Sequence, residues 1–321
     1  MLEHKQYGHF RVSLPSHCST SFTDPSLIAR TSKSTFNAAS YAAFRPSYPA
    51  SLYNTVLGFH RGAKKQCLDL GCGTGIVTRE LSKHFDKTIG TDPSSVMIKK
   101  AREASPPSQY PGLEFREGSA EAGSHFLEDG SLDLVVAGQA AHWFDYAKLW
   151  PEMGRLVRKG GTLAYWGYKD HVFVDFPKAT EIMQDYAYNT DPELLGSYWP
   201  QPGRSYVQDK LLIIQPPKED WEDEQRIEYE PGTKGAHTGE GTLFMETEIN
   251  VCAVKEYVRT WSSYHGWQEK HPGQIARSKG GQGDIMDEMF DRIAKEDEWF
   301  RNEENLVKIE WGSALIMARR K

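Results

Sequence analysis

Cysteine, long apolar runs and excess positive charge are all scarce in this chain of 321 residues. Its cysteines, four in number, are too few and too scattered to predict a disulfide framework or a zinc site, and we expect no metal. No apolar run approaches the ~18 residues of a membrane span. The net charge of −6 has the wrong sign for nucleic acid or an anionic membrane surface. We therefore expect a cytoplasmic protein that binds neither, and the sequence does not define its oligomeric state.

Tryptophan is absent from the first part of the chain, and all nine tryptophans lie at or after Trp143. Residues 1–33 are rich in Ser and Thr and lack apolar periodicity and a secretory h-region, which predicts a disordered tail. We expect residues 34–321 to form a single domain. The pattern breaks up between residues 169 and 241, where we expect an inserted cap over a substrate.

The most informative stretch is Leu-Asp-Leu-Gly-Cys-Gly-Thr-Gly, from residue 68 to residue 75. A short apolar run holds Asp69 and ends in Gly71, Gly73 and Gly75, and a helical pattern follows from Ile76. Strand, glycine turn and helix form the opening unit of a nucleotide-binding α/β sheet. Glycines are needed there because the backbone turns sharply and approaches a ligand without a Cβ in between.

The spacing of these glycines distinguishes between cofactors. Dinucleotide sites prefer Gly-x-Gly-x-x-Gly, but here the third glycine comes one residue early. A second short strand ends in Asp92, 21 residues beyond Gly71. An acid about 20 residues past the glycine turn is suited to accept hydrogen bonds from both ribose hydroxyls. These two motifs together predict a nucleoside-containing ligand.

Three further apolar runs predict strands at residues 113–118, 131–138 and 162–166. The run at 131–138 suits a strand that is covered on both faces. It opens into a loop that begins with Gln139 and continues through His142 and Trp143. Ligands of parallel sheets bind beyond the C-terminal ends of the strands, so this loop is expected to face the ligand.

These motifs resemble those of the class I S-adenosylmethionine (SAM)-dependent methyltransferases, most strongly between residues 36 and 166. The wider pattern is similar to the trans-aconitate methyltransferase-like branch and to gliotoxin-type thiol methyltransferases. It includes Arg-Pro-Ser-Tyr-Pro from residue 45 and Tyr-Trp-Pro-Gln-Pro-Gly-Arg from residue 198. The resemblance implies SAM as the cofactor and a Rossmann-like sheet of seven strands, the last antiparallel, with helices on both faces. It implies cofactor contacts from Tyr41, Asp69, Gly71, Gly73, Gly75, Asp92, Ser119, Ala120, Glu121 and Gln139.

The methyl acceptor is expected to be a small molecule, and two kinds remain open. A carboxylate is ionised at neutral pH and needs no base, whereas a thiol, with a pKa of ~8.5, needs modest help. Arg45 could hold a carboxylate, and it lies in a helix-then-proline segment, residues 36–48, expected to form a lid. His142 could act as a catalytic base for a thiol. Trp143, Trp261 and Tyr264 are candidate substrate contacts, and the branch resemblance slightly favours a carboxylic acid.

Three other classes of protein share some of these features. A nicotinamide dehydrogenase is disfavoured by the early third glycine. A nucleic-acid methyltransferase would have an Asn/Asp-Pro-Pro-aromatic loop after the fourth strand, where this chain has Gln139-Ala140-Ala141-His142. A SAM-binding protein without catalytic activity shares every motif above, and only a transfer assay separates it from an enzyme.

Overall fold

A computed structural model describes residues 47–122 and 124–321, and its centre is a mixed β-sheet. Seven strands follow one another in the order β3-β2-β1-β4-β5-β9-β6, numbered along the chain, and two short strands extend this sheet. β1 to β5 are parallel, whereas β9 runs antiparallel between β5 and β6. The predicted α/β class and the antiparallel last strand are therefore confirmed.

The first part of the described chain alternates helices and strands. Its elements are α1 (Ala50–Phe59), β1 (Gln66–Leu70), α2 (Ile76–Leu81), β2 (Lys87–Asp92), α3 (Ser95–Glu103), β3 (Leu113–Glu117), β4 (Leu132–Gly138), α4 (Tyr146–Leu156) and β5 (Val157–Phe173). The strands are parallel because each connection returns the chain to the same end of the sheet, in the described residues through a helix everywhere except between β3 and β4.

The second part adds helices around the far half of the sheet. Its elements are α5 (Pro177–Tyr188), α6 (Gly203–Gln208), β6 (Trp221–Glu230), β7 (Glu240–Gly241), β8 (Glu246–Asn250), α7 (Val251–Val258), α8 (Ser262–Lys270), α9 (Ile285–Glu296) and β9 (Leu306–Arg320). Short 3-10 helices lie at Ala141–Trp143, Gly196–Tyr198, Arg277–Lys279 and Glu298–Arg301. The range in which we expect a cap, 169–241, thus includes the end of β5 together with β6 and β7.

Both faces of the sheet are covered. Along β5, Ala164 and Trp166 belong to a core that also holds residues of α1, α2, α5 and α7 to α9. Leu163 and Tyr165 point to the opposite face, into a core shared with α4 and α6. Alternate side chains of one strand thus enter two cores, and this explains the continuous apolar runs of the sequence. Among the described residues, no helix is long and apolar enough to cross a membrane.

Two predicted elements have different bounds in the structure. The sequence predicts a helix from about Pro151 to Val157, but the helix begins five residues earlier, at Tyr146. Leu149, Met153 and Leu156 form one buried face that outweighs the proline. The sequence also predicts a single helix from Val254 to Trp267, but the structure has two helices, which are separated at residues 259–261. Arg259 is held there by Asp284 on the segment that leads into α9.

Candidate cofactor and acceptor site

The glycine turn follows β1 and has left-handed backbone geometry at all three glycines. Gly71, Gly73 and Gly75 have φ angles of 65°, 54° and 80°. A Cβ at Gly71 would lie 2.5 Å from the Cβ of Ala140, and one at Gly75 would lie 2.5 Å from the Phe115 ring. A Cβ at Gly73 would meet nothing within 4 Å. The outer glycines therefore allow close packing, whereas Gly73 leaves a space beside the turn that a side chain would fill.

Asp92 links this turn to the end of β2. Its Oδ2 atom accepts a hydrogen bond of 2.9 Å from the backbone N–H of Gly73, and Oδ1 accepts one of 2.9 Å from the N–H of Ser94. Ser94 in turn caps α3 by accepting a hydrogen bond from the N–H of Met97. A single carboxylate thus orients the glycine turn and the start of the next helix, and it lines the space beside Gly73.

That space is part of a cavity of about 680 Å³ at the C-terminal ends of the parallel strands. Small-molecule sites in proteins usually have volumes in the range ~300–1,000 Å³. The predicted residues that line it are Gly71, Gly73, Asp92, Ser119, Ala120, Glu121, Gln139, His142, Trp143 and Trp261. Tyr48, at the end of the segment expected to form a lid, lines it as well. Residues that lie far apart in the sequence are therefore brought around one space.

Gln139 lines the cavity, but its side chain is engaged with the sheet. Its Nε2 donates to the carbonyl oxygen of Tyr168 at 2.8 Å, and its Oε1 accepts from the N–H of Tyr168 at 2.7 Å. Its φ of 54° is unusual for a residue with a Cβ. A strained backbone conformation of this kind persists where contacts with surrounding residues hold the residue in place. Gln139 therefore fixes the loop after β4 against β5.

His142 and Trp143 lie in the 3-10 turn after this loop. Their ring centroids are 4.6 Å apart, and the indole of Trp143 is 55% exposed although it lines the cavity. α6 packs against both rings, because a Cβ at Gly203 would come within 2.7 Å of Trp143 and 3.2 Å of His142. Gly203 thus allows the close approach of α6 to the cavity.

Asp170, Tyr188 and Arg204 form a polar cluster that the sequence motifs did not predict, and Asp170 and Arg204 belong to the wall of the same cavity. Nη2 of Arg204 donates to Oδ1 of Asp170 and to the hydroxyl oxygen of Tyr188, which itself donates to Oδ2 of Asp170. The guanidinium carbon lies 3.9 Å from the centroid of the Trp199 ring. Arg204 ends the Tyr-Trp-Pro-Gln-Pro-Gly-Arg stretch, but only the fold brings it to Asp170 at the end of β5.

Among the described residues, three predicted site residues do not line the cavity: Asp69, Gly75 and Tyr264. Gly75 packs under Phe115, and Tyr264 donates a hydrogen bond of 2.6 Å to Asp284 in the ion network between α7 and α9. Tyr41 and Arg45 lie outside the described residues.

Asp69 is buried beneath the turn, only 1% exposed. Its Oδ2 accepts a hydrogen bond of 2.7 Å from the Thr78 hydroxyl, whereas Oδ1 has no hydrogen-bond partner. Burial raises the pKa of Asp69, the bond from Thr78 opposes this, and the nearby charge of Asp92 adds to it, so that the net pKa is about 7. In the fold Asp69 therefore stays protonated below about pH 7.

Stability should consequently depend on pH through Asp69. The pKa of Asp69 is higher in the fold than its unfolded value of ~3.9. The stabilisation from this difference is fully present below pH ~4 and is lost as the pH rises through 7, and each unit of pKa difference corresponds to ~1.4 kcal/mol of unfolding free energy. Asp69→Asn should remove this dependence. In urea denaturation between about pH 4 and pH 8, the difference in unfolding free energy between wild type and variant should fall as pH rises. Asp129→Asn, a surface control, should show no such trend, and a pH-independent difference for Asp69→Asn would contradict the assignment.

The sheet, the glycine turn with open space at Gly73, and the acid at the end of β2 together define a class I methyltransferase. Residues 68–165 match a family model described as a methyltransferase domain. The chain is 30% identical over 300 residues to CRG1 of Saccharomyces cerevisiae, named a probable S-adenosylmethionine-dependent methyltransferase, with 89% of this chain and 96% of CRG1 covered. The chain belongs to the SAM-dependent methyltransferases. It is an enzyme that uses SAM.

Other similarities agree with this assignment. A methyltransferase pgmE of Aspergillus terreus is 24% identical over 250 residues, covering 71% of this chain and 74% of that protein. A solved structure from Anaeromyxobacter dehalogenans, described as a type II methyltransferase, has a TM-score of 0.63 at 23% identity. It covers 86% of this chain and 98% of its own, and this likeness shows the fold alone.

Proposed function

We propose that this enzyme methylates a small molecule, that a carboxylic acid is the favoured acceptor, and that it belongs to the trans-aconitate methyltransferase-like branch. The cavity is the observation that carries this proposal. Its far end is lined by Trp143, Trp199 and Trp261, and basic side chains lie among these rings. Such a wall suits a molecule with an apolar body and a negative group.

The cofactor end of the cavity fits a nucleoside. Asp92 can accept hydrogen bonds from ribose hydroxyls beside those from Gly73 and Ser94, because each carboxylate oxygen has more than one lone pair. The open space at Gly73 lets the ligand approach the backbone. Ser119, Ala120 and Glu121 follow β3 at the same end, and we assign them to the adenine. Gln139 acts on the cofactor through the loop that it holds.

When bound, SAM supplies a methyl group on a positively charged sulfur, and a lone pair of the acceptor displaces that sulfur in line. In that displacement the bond from the acceptor to the methyl carbon would form as the carbon–sulfur bond breaks. The electron pair of the broken bond would stay on the sulfur. The protein has to align the acceptor and exclude water. Helical segments from residues 177–208 and 251–270 contribute Trp199, Tyr257 and Trp261 to the cavity, and we propose that they form the cover.

S-methylation of a thiol is the second candidate, and the position of His142 in the cavity wall favours it. A thiol must lose a proton to react well, and a neutral imidazole can accept that proton. A carboxylic acid is already ionised and makes no such demand.

The variant His142→Ala separates these two functions. With a carboxylic acid, its rate should vary little between about pH 6 and pH 8, as for wild type. With a thiol, its maximal rate should fall and the rise of rate with pH should move upward, because the acceptor must ionise unaided. The assay incubates the enzyme with methyl-labelled SAM and pools of acids or thiols, and mass spectrometry distinguishes methyl esters from thioethers. His84→Ala, an exposed histidine outside the cavity, is the control. Transfer to neither class would refute both proposals.

A further inference from the structure

The cluster of Asp170, Tyr188 and Arg204 holds a guanidinium against the cavity without using all of its donors. The Arg204 side chain is 10% exposed. Among the described residues, only Nη2 of its three nitrogens has hydrogen-bond partners. Nε is buried without a partner, and Nη1 also lacks one but is not sealed from solvent. A buried guanidinium with unused donors is costly unless a further acceptor completes it.

The other basic groups of the cavity are less suited to bind an anion. The single nitrogen of Lys169 lies 2.6 Å from Glu230 and is held by that carboxylate. His142 offers at most two ring donors and lacks the planar fork of a guanidinium. Arg204 stays charged at any working pH and presents a planar set of donors. Trp199 fixes the plane of the guanidinium by lying against its face at 3.9 Å.

We propose that Arg204 binds an anionic group of the methyl acceptor through Nη1, its unpartnered nitrogen that is open to solvent, and that Asp170 orients Arg204 and limits the affinity for that anion. This inference rests on the proposed small-molecule acceptor and adds the residue that recognises the negative charge of that acceptor. Asp170 also lines the cavity, so its charge repels a bound anion while its hydrogen bonds hold Arg204 in position. The reacting oxygen or sulfur is then a separate atom of the acceptor, since an anion held by a guanidinium is a weaker nucleophile.

The two charges of the pair therefore have opposite effects on the affinity for an acid. Arg204→Leu should weaken the binding of an acidic acceptor at least about tenfold. Asp170→Asn should strengthen it about threefold or more, because the amide keeps a hydrogen-bond acceptor for Arg204 but not the negative charge. A purely structural ion pair predicts instead that both variants weaken binding.

The test titrates three probe acids, trans-aconitate, citrate and benzoate, into the full chain loaded with S-adenosylhomocysteine, each acid beside its amide. Arg277→Leu is the matched control, because Arg277 forms an exposed ion pair of 2.6 Å with Asp291 outside the cavity. The double variant Asp170→Asn/Arg204→Leu leaves no buried charge unpaired, so it reports on charge recognition if the single Arg204 variant folds poorly. An unchanged affinity for S-adenosylhomocysteine verifies that each variant is folded.

The inference holds if at least one acid binds more tightly than its amide and the two single variants shift that affinity in opposite directions. It is overturned if no acid is preferred to its amide, or if both variants shift the affinity in the same direction. A methyl-transfer assay on the same acids tests the proposed function separately. Acid binding with this pattern but without methyl esters would reject carboxylate methylation and leave the anion site intact. Esters formed equally well by Arg204→Leu would reject the anion site alone.

Discussion

Gly73→Ala is expected to weaken the binding of SAM at least about tenfold while the protein remains folded. The added Cβ meets no protein atom within 4 Å and enters the cavity beside the turn, where the ligand approaches the backbone. Isothermal titration calorimetry with SAM measures the effect. Part of the cost is conformational, because an alanine at a φ of 54° is strained whether or not ligand is present.

Gly280→Ala is the matched control for this strain. Gly280 has a φ of 81°, and a Cβ added there would also meet no atom within 4 Å, but this glycine lies outside the cavity. Both variants should lose a similar ~1–2 kcal/mol of stability from the left-handed backbone. Only Gly73→Ala should lose affinity for SAM. If both variants bind SAM as wild type does, the space beside Gly73 is not the cofactor site.

Asp92→Ala is expected to weaken the binding of SAM at least about tenfold. The change removes the acceptors for the N–H groups of Gly73 and Ser94 and those assigned to the ribose. A polar group left without its partner costs ~1–3 kcal/mol. Calorimetry with SAM measures the affinity, and thermal denaturation of the unliganded protein measures the loss that comes from the turn alone.

Glu117→Ala provides the control for Asp92→Ala. Glu117 pairs with Asp92 in the register of β2 and β3 and ends the neighbouring strand, but it is exposed and does not line the cavity. Its removal should leave the affinity for SAM unchanged. An unchanged dissociation constant for Asp92→Ala would refute the assignment of Asp92 to the ribose.

Local patterns in the sequence sufficed to predict the class of fold and a nucleoside-containing ligand, and the resemblance of these motifs to those of known methyltransferases supplied the cofactor. The glycine turn and Asp92 are separated by one helix, and their relation follows from the geometry of a single strand–helix–strand unit. Buried strands such as β4 are readable because an apolar run is required when both faces are covered. Predictions of this kind depend on neighbours in sequence and therefore succeed.

The acceptor end could not be predicted in the same way. Arg204 meets Asp170 and Tyr188 only when α5, α6 and the end of β5 are assembled, and no periodicity in the sequence encodes that contact. Tyr264 illustrates the opposite error. Its aromatic character suggested a substrate contact, but its hydroxyl group is committed to Asp284, a partner 20 residues away. The residue type shows that a side chain is bulky, but it does not show which neighbouring residue that side chain contacts.

The central position of β9 has a consequence for how the chain folds. β5 pairs with β9 along most of its length, yet all the helices from α5 to α9 come between these strands in the chain. During synthesis β5 therefore emerges long before its partner and presents an unpaired edge that can join another chain. Contacts between strands so distant in sequence also raise the contact order, which slows folding. Aggregation of nascent chains, rather than instability of the finished enzyme, is thus the hazard that this topology carries.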